Sequence, residues 1–112
     1  MPLLIHASQS GPTGVVALTG RLDGATASQL DEALQEAIKP SGALVIDMAG
    51  LDYVSSAGLR ILLKGAKQAK AQASSLALCA MNASIREVFD ISGFSTLFAI
   101  HPDCAAAEAA LR

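Results

Sequence analysis

The stretch DMAGLDYVSSAGLRILL, residues 47–63, decides the fold of this chain. The apolar run ALVI at residues 43–46 comes directly before it and predicts a strand that is buried on both faces and ends at Asp47. A short loop then leads to Ser55 and Ser56, which open an amphipathic helix. The first N–H groups of a helix have no partner within it, and the helix dipole favours negative charge there. A serine at this point can accept a phosphate without disturbing its own fold, which makes the pair a candidate surface switch.

The segments upstream of this stretch predict a hairpin followed by a helix. Residues 3–7 and 15–20 have strand character and flank a turn that contains Gly and Pro. At residues 26–29 a hydroxyl is followed three positions later by an amide, which predicts a capping box that begins at Thr26. The helix after it carries an apolar stripe with helical spacing, made of Leu30, Ala33, Leu34, Ala37 and Ile38.

The downstream segments continue the alternation of helix and strand. The helix opened by the serines is expected to turn one set of residues toward the core: Leu59, Leu62, Leu63, Ala66, Ala69 and Ala73. Residues 76–79 predict another buried strand, and Asn82 predicts the cap of a helix that presents Ile85, Val88 and Phe89 and ends at Gly93. Residues 97–100 predict the last strand, and a terminal helix starts at residues 102–103.

This order predicts an α/β fold in a single domain over residues 1–112. Because strands alternate with helices, right-handed crossovers should build a largely parallel sheet, and the first hairpin adds an antiparallel edge. We therefore expect a mixed, mostly parallel sheet of about five strands with four helices.

Composition and charge limit the possible functions. The chain has 112 residues, of which 52% are hydrophobic. Because its net charge is −2, it lacks the excess of basic residues that is typical of a nucleic-acid-binding protein. It shows neither a secretory signal nor an apolar run long enough to insert into a membrane. The two cysteines, Cys79 and Cys104, have no metal-like spacing, and we interpret Cys79 as a small core residue. A cytoplasmic protein without a metal site is expected.

Catalysis by this chain is not expected. A small α/β enzyme that uses Asp47, Asp52 and Ser56 is conceivable, since functional groups gather at the carboxyl ends of parallel strands. However, the sequence lacks a nucleophile elbow, a P-loop and a dinucleotide-binding motif, and neither His6 nor His101 belongs to a cluster of ligands. We predict no catalytic residues, no metal and no cofactor.

Two motifs carry a resemblance to a known family. GRLD at residues 20–23 and LDYVSSAGLR at residues 51–60, together with the strand order, resemble the STAS domain, and more narrowly the bacterial anti-sigma factor antagonists. The resemblance implies a binding module whose serine is phosphorylated by an anti-sigma factor that is an ATP-dependent serine kinase, and dephosphorylated by a PP2C-type phosphatase. The unphosphorylated form would bind the anti-sigma factor and release a sigma factor. Aligned on Gly58, the phosphoacceptor is Ser56, with Ser55 as the alternative; Ser55 stands where the common pattern has Asp.

The same resemblance suggests a partner-binding surface around the acceptor. Its predicted members are Asp23, Asp52, Ser55, Ser56, Arg60 and Lys64. Simpler interpretations remain beside it: the serines as plain N-caps, the acids as turn residues, and Arg60 and Lys64 as part of a solvated helix face. Tyr53 and Val54 are expected to anchor the loop in the core. An alternative function is a STAS subunit of a lipid-trafficking ABC transporter in a membrane, without a phosphoswitch.

Overall fold

The computed structural model describes residues 2–111. Its strands and α-helices follow the predicted alternation, with a 3₁₀ helix before the last strand. The strands are β1 (Leu3–Ser10), β2 (Thr13–Leu22), β3 (Ala43–Val54), β4 (Ser75–Cys79) and β5 (Ala99–His101). The helices are α1 (Ala27–Ala37), α2 (Ser56–Ala71), α3 (Ala83–Ile91), α4 (Cys104–Leu111) and the 3₁₀ helix Phe94–Leu97.

The five strands form one sheet in the order β1-β2-β3-β4-β5. β1 pairs antiparallel with β2, and every other neighbouring pair is parallel. The α/β class and the mixed, mostly parallel sheet predicted from the sequence are therefore confirmed. The three crossovers advance in the same direction across the sheet, and α1, α2 and α3 share one core cluster with it, so these helices lie on one face of the sheet. The chain reaches the opposite face only after β5, where α4 packs.

Burial in β3 shows that the central sheet is covered on both faces. Leu44 and Ile46 belong to the large core cluster under α1, α2 and α3, whereas Val45 belongs to a small cluster with Ala77, Cys79 and Ala107 under α4. Alternate residues of a strand point to opposite faces, so a continuous apolar run is what a doubly covered strand requires. The interpretation of residues 43–46 as a buried central strand is confirmed.

β3 does not stop at Asp47 as predicted. It continues to Val54, and β2 follows it to Leu22 with two irregularities in register. Met48, Leu51 and Val54 are buried along this extension. The polar residues between Leu51 and Val54, Asp52 and Tyr53, suggested a loop, but they are exposed residues within the strand.

Several helix ends also differ from the predictions. The capping box at Thr26 is wrong: its Oγ1 donates to the Arg21 carbonyl (2.8 Å) and accepts from the Asp23 N–H (2.9 Å), so it holds the preceding loop instead of the helix. Ala73 is exposed with a φ of 54° because α2 has already ended. Val88 is 36% exposed and so does not join the core as predicted.

The predictions for the two ends of α3 are confirmed. The Asn82 side chain accepts from the Ile85 N–H at 2.8 Å and caps the helix, and Gly93 has the left-handed φ of 79° expected beyond the helix end. The last strand begins at Ala99 and not at residue 97, because the 3₁₀ helix occupies Phe94–Leu97. Among residues 2–111, none of the helices combines the length and apolar character that a bilayer span requires.

Candidate functional site

The junction between β3 and α2 is held by the backbone and side chain of Ser55. Its N–H donates to the Leu22 carbonyl at 2.9 Å, which ties the junction to the end of β2. Its Oγ accepts from the Gly58 N–H at 3.3 Å, and its extended backbone is that of an N-cap residue. Ser55 is half-buried. Its hydroxyl therefore already has a structural role in starting α2.

Ser56 is placed differently from its neighbour. It is the first residue of α2 and is exposed to solvent. The first turn of a helix presents N–H groups without intrahelical partners, so an anion attached here meets a favourable field. Of the two serines, Ser56 is the one whose modification leaves the cap intact.

Gly58 sets how closely α2 approaches β2. A Cβ at this position would lie 2.6 Å from Leu22 Cγ and 3.1 Å from the Leu22 carbonyl oxygen. Because the backbone oxygen cannot move aside as a side chain can, a larger residue would push the start of α2 away from the sheet. Glycine is therefore required here by space.

We expect Gly58→Ala to lower the free energy of unfolding by about 1–3 kcal/mol, the usual cost of overpacking. The matched control is Gly24→Ala, since no heavy atom lies within 4 Å of a Cβ built at Gly24. That control should change stability by no more than about 0.5 kcal/mol. Urea denaturation of both variants measures the difference, and equal stabilities would contradict the close approach.

The loop between β2 and α1 borders the same junction. The Asp23 Oδ1 accepts from the Ala25 N–H (3.0 Å), the Thr26 N–H (3.2 Å) and the Thr26 hydroxyl (3.2 Å). Partial desolvation acts to raise the pKa of Asp23, but these hydrogen bonds and the charge of Arg21 outweigh it and lower the pKa below its ordinary value. Asp23 thus presents a fixed negative charge next to Leu22, to which Ser55 is bonded.

Half-buried Arg21 and exposed Tyr53 form a pair that was not predicted from the sequence. The two are register partners in β2 and β3, and the Arg21 guanidinium lies 4.1 Å from the centroid of the Tyr53 ring. Tyr53 is 40% exposed, so its predicted role as a core anchor is wrong, whereas Val54 is buried. The alternation of side chains along a strand could have indicated this pair. Arg21 directly precedes buried Leu22, and Tyr53 directly precedes buried Val54, so both side chains should face outward.

Of the two cations predicted for the partner surface on α2, Arg60 and Lys64, one is neutralised within the molecule. Lys64 Nζ lies 2.8 Å from Asp31 Oδ2 and joins α2 to α1. The hydrogen bond from Lys64 is the main reason that the pKa of Asp31 is lowered. Arg60 is exposed and, within residues 2–111, forms no ion pair. Arg60 is therefore the unpaired cation on the turn that follows Ser56.

The structure separates Asp47 from this region. Its side chain groups with Cys79 and Cys104, on the face covered by α4. The small enzyme considered above, with Asp47, Asp52 and Ser56 acting together, does not match this placement. Asp52 is exposed in β3, two residues before the strand ends.

The two cysteines lie on the same face of the sheet as Asp47. Cys79 is fully buried and Cys104 is half-buried at the start of α4. Burial raises the pKa of both thiols above the ordinary range. The side chains of Cys79 and Cys104 come together because α4 packs on β4.

Comparison with known proteins agrees with the fold and with the motifs. The family model described as "Mlab, STAS domain" matches residues 5–100. The chain belongs to the STAS family. A protein of Bordetella bronchiseptica described as an anti-sigma factor antagonist, BtrV, is 39% identical over 99 residues, which cover 88% of this chain and 85% of that protein.

Solved structures show the same architecture. An anti-sigma factor antagonist from Mycobacterium paratuberculosis superimposes with a TM-score of 0.89 over 98% of this chain and 94% of that one, at 24% identity. The Bacillus cell fate determinant SpoIIAA in its phosphorylated form gives a TM-score of 0.72 over 97% of this chain and 100% of that one, at 20% identity. These similarities establish the STAS fold.

Proposed function

We propose that this STAS protein is an anti-sigma factor antagonist switched by phosphorylation at Ser56. In the unphosphorylated form it binds an anti-sigma factor and so releases a sigma factor. The observation that carries the proposal is the exposure of Ser56 at the first position of α2, next to a Ser55 that already caps the helix. The similarity to BtrV supports the antagonist role, and the solved structure of SpoIIAA in a phosphorylated form supports the placement of a phosphate on this fold.

The proposed partner surface surrounds this serine. It consists of the residues predicted from the sequence: Asp23, Asp52, Ser55, Ser56, Arg60 and Lys64. The bond from Ser55 to Leu22 brings the β2–α1 loop beside the start of α2, so one partner can cover both. We add Arg21 and Tyr53, because an arginine stacked on an exposed aromatic ring is a typical anchor in protein interfaces.

A phosphate on Ser56 would change the electrostatics of this surface more than its shape. It adds about −1.5 to −2 charge at neutral pH to a chain of net charge −2. Arg60 lies one turn further along α2, and helical side chains lean toward the N-terminus, so Arg60 is the nearest partner on the helix for that charge. A partner that contacts the neutral Ser56 hydroxyl and the unpaired Arg60 side chain would lose both contacts when Ser56 is phosphorylated.

Catalysis in this scheme belongs to the partners. An anti-sigma factor serine kinase transfers the phosphate from ATP, and a PP2C-type phosphatase removes it. The antagonist contributes a rigid surface and a hydroxyl, and needs neither a cofactor nor catalytic residues of its own. We place this exchange in the cytoplasm, where sigma factors act.

Incubation with ATP and a cognate anti-sigma factor kinase tests the proposal. We expect mass spectrometry to find phosphate on Ser56 in the wild type and none in Ser56→Ala. Ser55→Ala is the matched control: it loses the cap, at a cost of about 0.5–2 kcal/mol, but keeps the acceptor and should still be labelled.

Two outcomes would contradict the proposal. Phosphate on Ser55 alone would mean that the capping residue is the phosphoacceptor. An absence of phosphate, with partner binding unchanged by ATP, would mean that the protein is not regulated by phosphorylation. Co-purification with transporter proteins of the membrane, combined with an absence of label, would support the alternative STAS subunit, since that role makes no use of a modifiable serine.

A further inference from the structure

Three side chains that are far apart in the sequence meet on the α4 face of the sheet. Asp47 in β3 and Cys79 in β4 are register partners on adjacent parallel strands, so their side chains project to the same face. α4 begins at Cys104 and packs on this face through the cluster that contains Cys79 and Ala107. Nothing in the spacing of residues 47, 79 and 104 indicates this meeting.

The geometry of the three groups suits a small cation. A carboxylate oxygen of Asp47 and the two Sγ atoms all lie within 4.8 Å of one another. Tetrahedral zinc has Zn–S distances of about 2.3 Å and Zn–O distances of about 2.0–2.2 Å, which place ligand atoms roughly 3.5–3.8 Å apart. Closing the present group to that spacing requires side-chain shifts on the order of 1 Å.

The ligand chemistry narrows the choice of metal. When Zn²⁺ binds, the two thiols release their protons to solvent, and the resulting two thiolates and one carboxylate favour Zn²⁺, whereas Mg²⁺ and Ca²⁺ prefer sites built entirely from oxygen. The Asp47 Oδ1 accepts from the Ala49 N–H at 3.0 Å, which orients the carboxylate. Asp103 and Glu108 lie within electrostatic range of the thiols and add negative potential. Because Asp47 and Cys104 are only half-buried, a cation can enter from that side.

We propose that Asp47, Cys79 and Cys104 form a zinc-binding site with three protein ligands and a water in the fourth position. Bound zinc joins α4 to β3 and β4. α4 is a short helix, and a single residue of it, Ala107, is fully buried, so metal binding should hold the C-terminal helix more firmly on the sheet. This site lies on the face opposite α2 and is independent of the phosphorylation proposed for Ser56.

Cobalt and zinc titrations of the fully reduced protein test the site. With Co²⁺ we expect one equivalent to give the visible bands of a tetrahedral ion and a thiolate-to-cobalt charge-transfer band, both removed by Zn²⁺. Cys104→Ser and Asp47→Asn should each weaken Zn²⁺ binding by at least about tenfold, since even loss of an outer-shell partner costs that much. These variants are preferred to a Cys79 substitution, because Cys79 is fully buried and its loss could unfold the protein.

Asp103→Asn is the matched control. It removes a neighbouring charge but retains the oxygen that accepts from the Ala106 N–H at 2.8 Å. Its Zn²⁺ affinity should change by less than about threefold, because it loses only a screened charge. Zinc should also raise the melting temperature of the wild type and of Asp103→Asn, but not of Cys104→Ser.

The proposal is overturned if the reduced protein shows no charge-transfer band, or if the band and the affinity persist in Cys104→Ser. It is equally overturned if Asp103→Asn loses as much affinity as Asp47→Asn, since binding would then follow general negative charge. Formation of a Cys79–Cys104 disulfide by a protein that in its reduced form fails to bind zinc would assign the two thiols to redox chemistry instead.

Discussion

We expect Ser56→Asp to weaken binding to the anti-sigma factor about a hundredfold, which corresponds to roughly 3 kcal/mol. The carboxylate places a negative charge where the partner meets a neutral hydroxyl, and an unpaired charge buried in an interface is costly. The fold should not suffer, because an acid at the first position of a helix interacts favourably with its dipole. Isothermal titration calorimetry measures the affinity, and thermal denaturation confirms that the variant is folded.

A second helix start provides the control for charge. Ser84 is an exposed serine in the first turn of α3, so Ser84→Asp adds the same charge in a similar local setting outside the proposed surface. It should bind the partner like the wild type, and so should Ser56→Ala, which lacks the added charge. Equal loss in Ser84→Asp and Ser56→Asp would mean that net charge, and not the surface around Ser56, controls the interaction.

We expect Leu62→Ala to lower the free energy of unfolding by about 2–5 kcal/mol. Leu62 is 0% exposed and belongs to the core cluster that α2 shares with α1 and the sheet. Its truncation removes apolar contacts and leaves a cavity that the surrounding strands can only partly fill. Because the stability of a small domain is itself of the order of 5–15 kcal/mol, this variant should unfold at clearly lower denaturant concentration.

Leu63→Ala tests whether the faces of α2 are assigned correctly. Leu63 is the next residue along the helix and is only half-buried, so its truncation should cost clearly less than that of Leu62. Urea denaturation with a common slope compares the two variants. A larger loss for Leu63 would contradict the orientation of α2 on the sheet.

The fold was largely predictable from local patterns. The doubly buried run at residues 43–46, the stripe of Leu30 and Leu34 in α1, and the Asn82 cap each indicate an element through the spacing or chemistry of neighbouring residues. Alternation of strands and helices then restricts the topology, because crossovers are right-handed. The position of the serine pair at the start of α2 follows from the same local information.

The errors came from residues whose local preference was overridden by contacts with another element. Thr26 has the sequence of a cap, but its hydroxyl is used by the Arg21 carbonyl and the Asp23 N–H. Tyr53 has the character of a core residue, but β3 continues past the predicted end and turns it outward onto Arg21. Residues 47–54 were predicted as a loop because polar side chains interrupt the apolar run, although β2 lies alongside and supplies the hydrogen bonds of a strand.

The sequence alone determined the order of elements, the central strand and the serines at the start of α2, since each depends on residues close together in the chain. Tertiary structure alone decided which serine is exposed, that Lys64 is paired with Asp31, and that Asp47 meets Cys79 and Cys104. These contacts depend on strand register and on the face that each crossover covers. The strand register and the sheet face that a helix covers are fixed only when distant segments pack together. Burial of the whole core, and not any local preference, selects one register and one face from those that are possible.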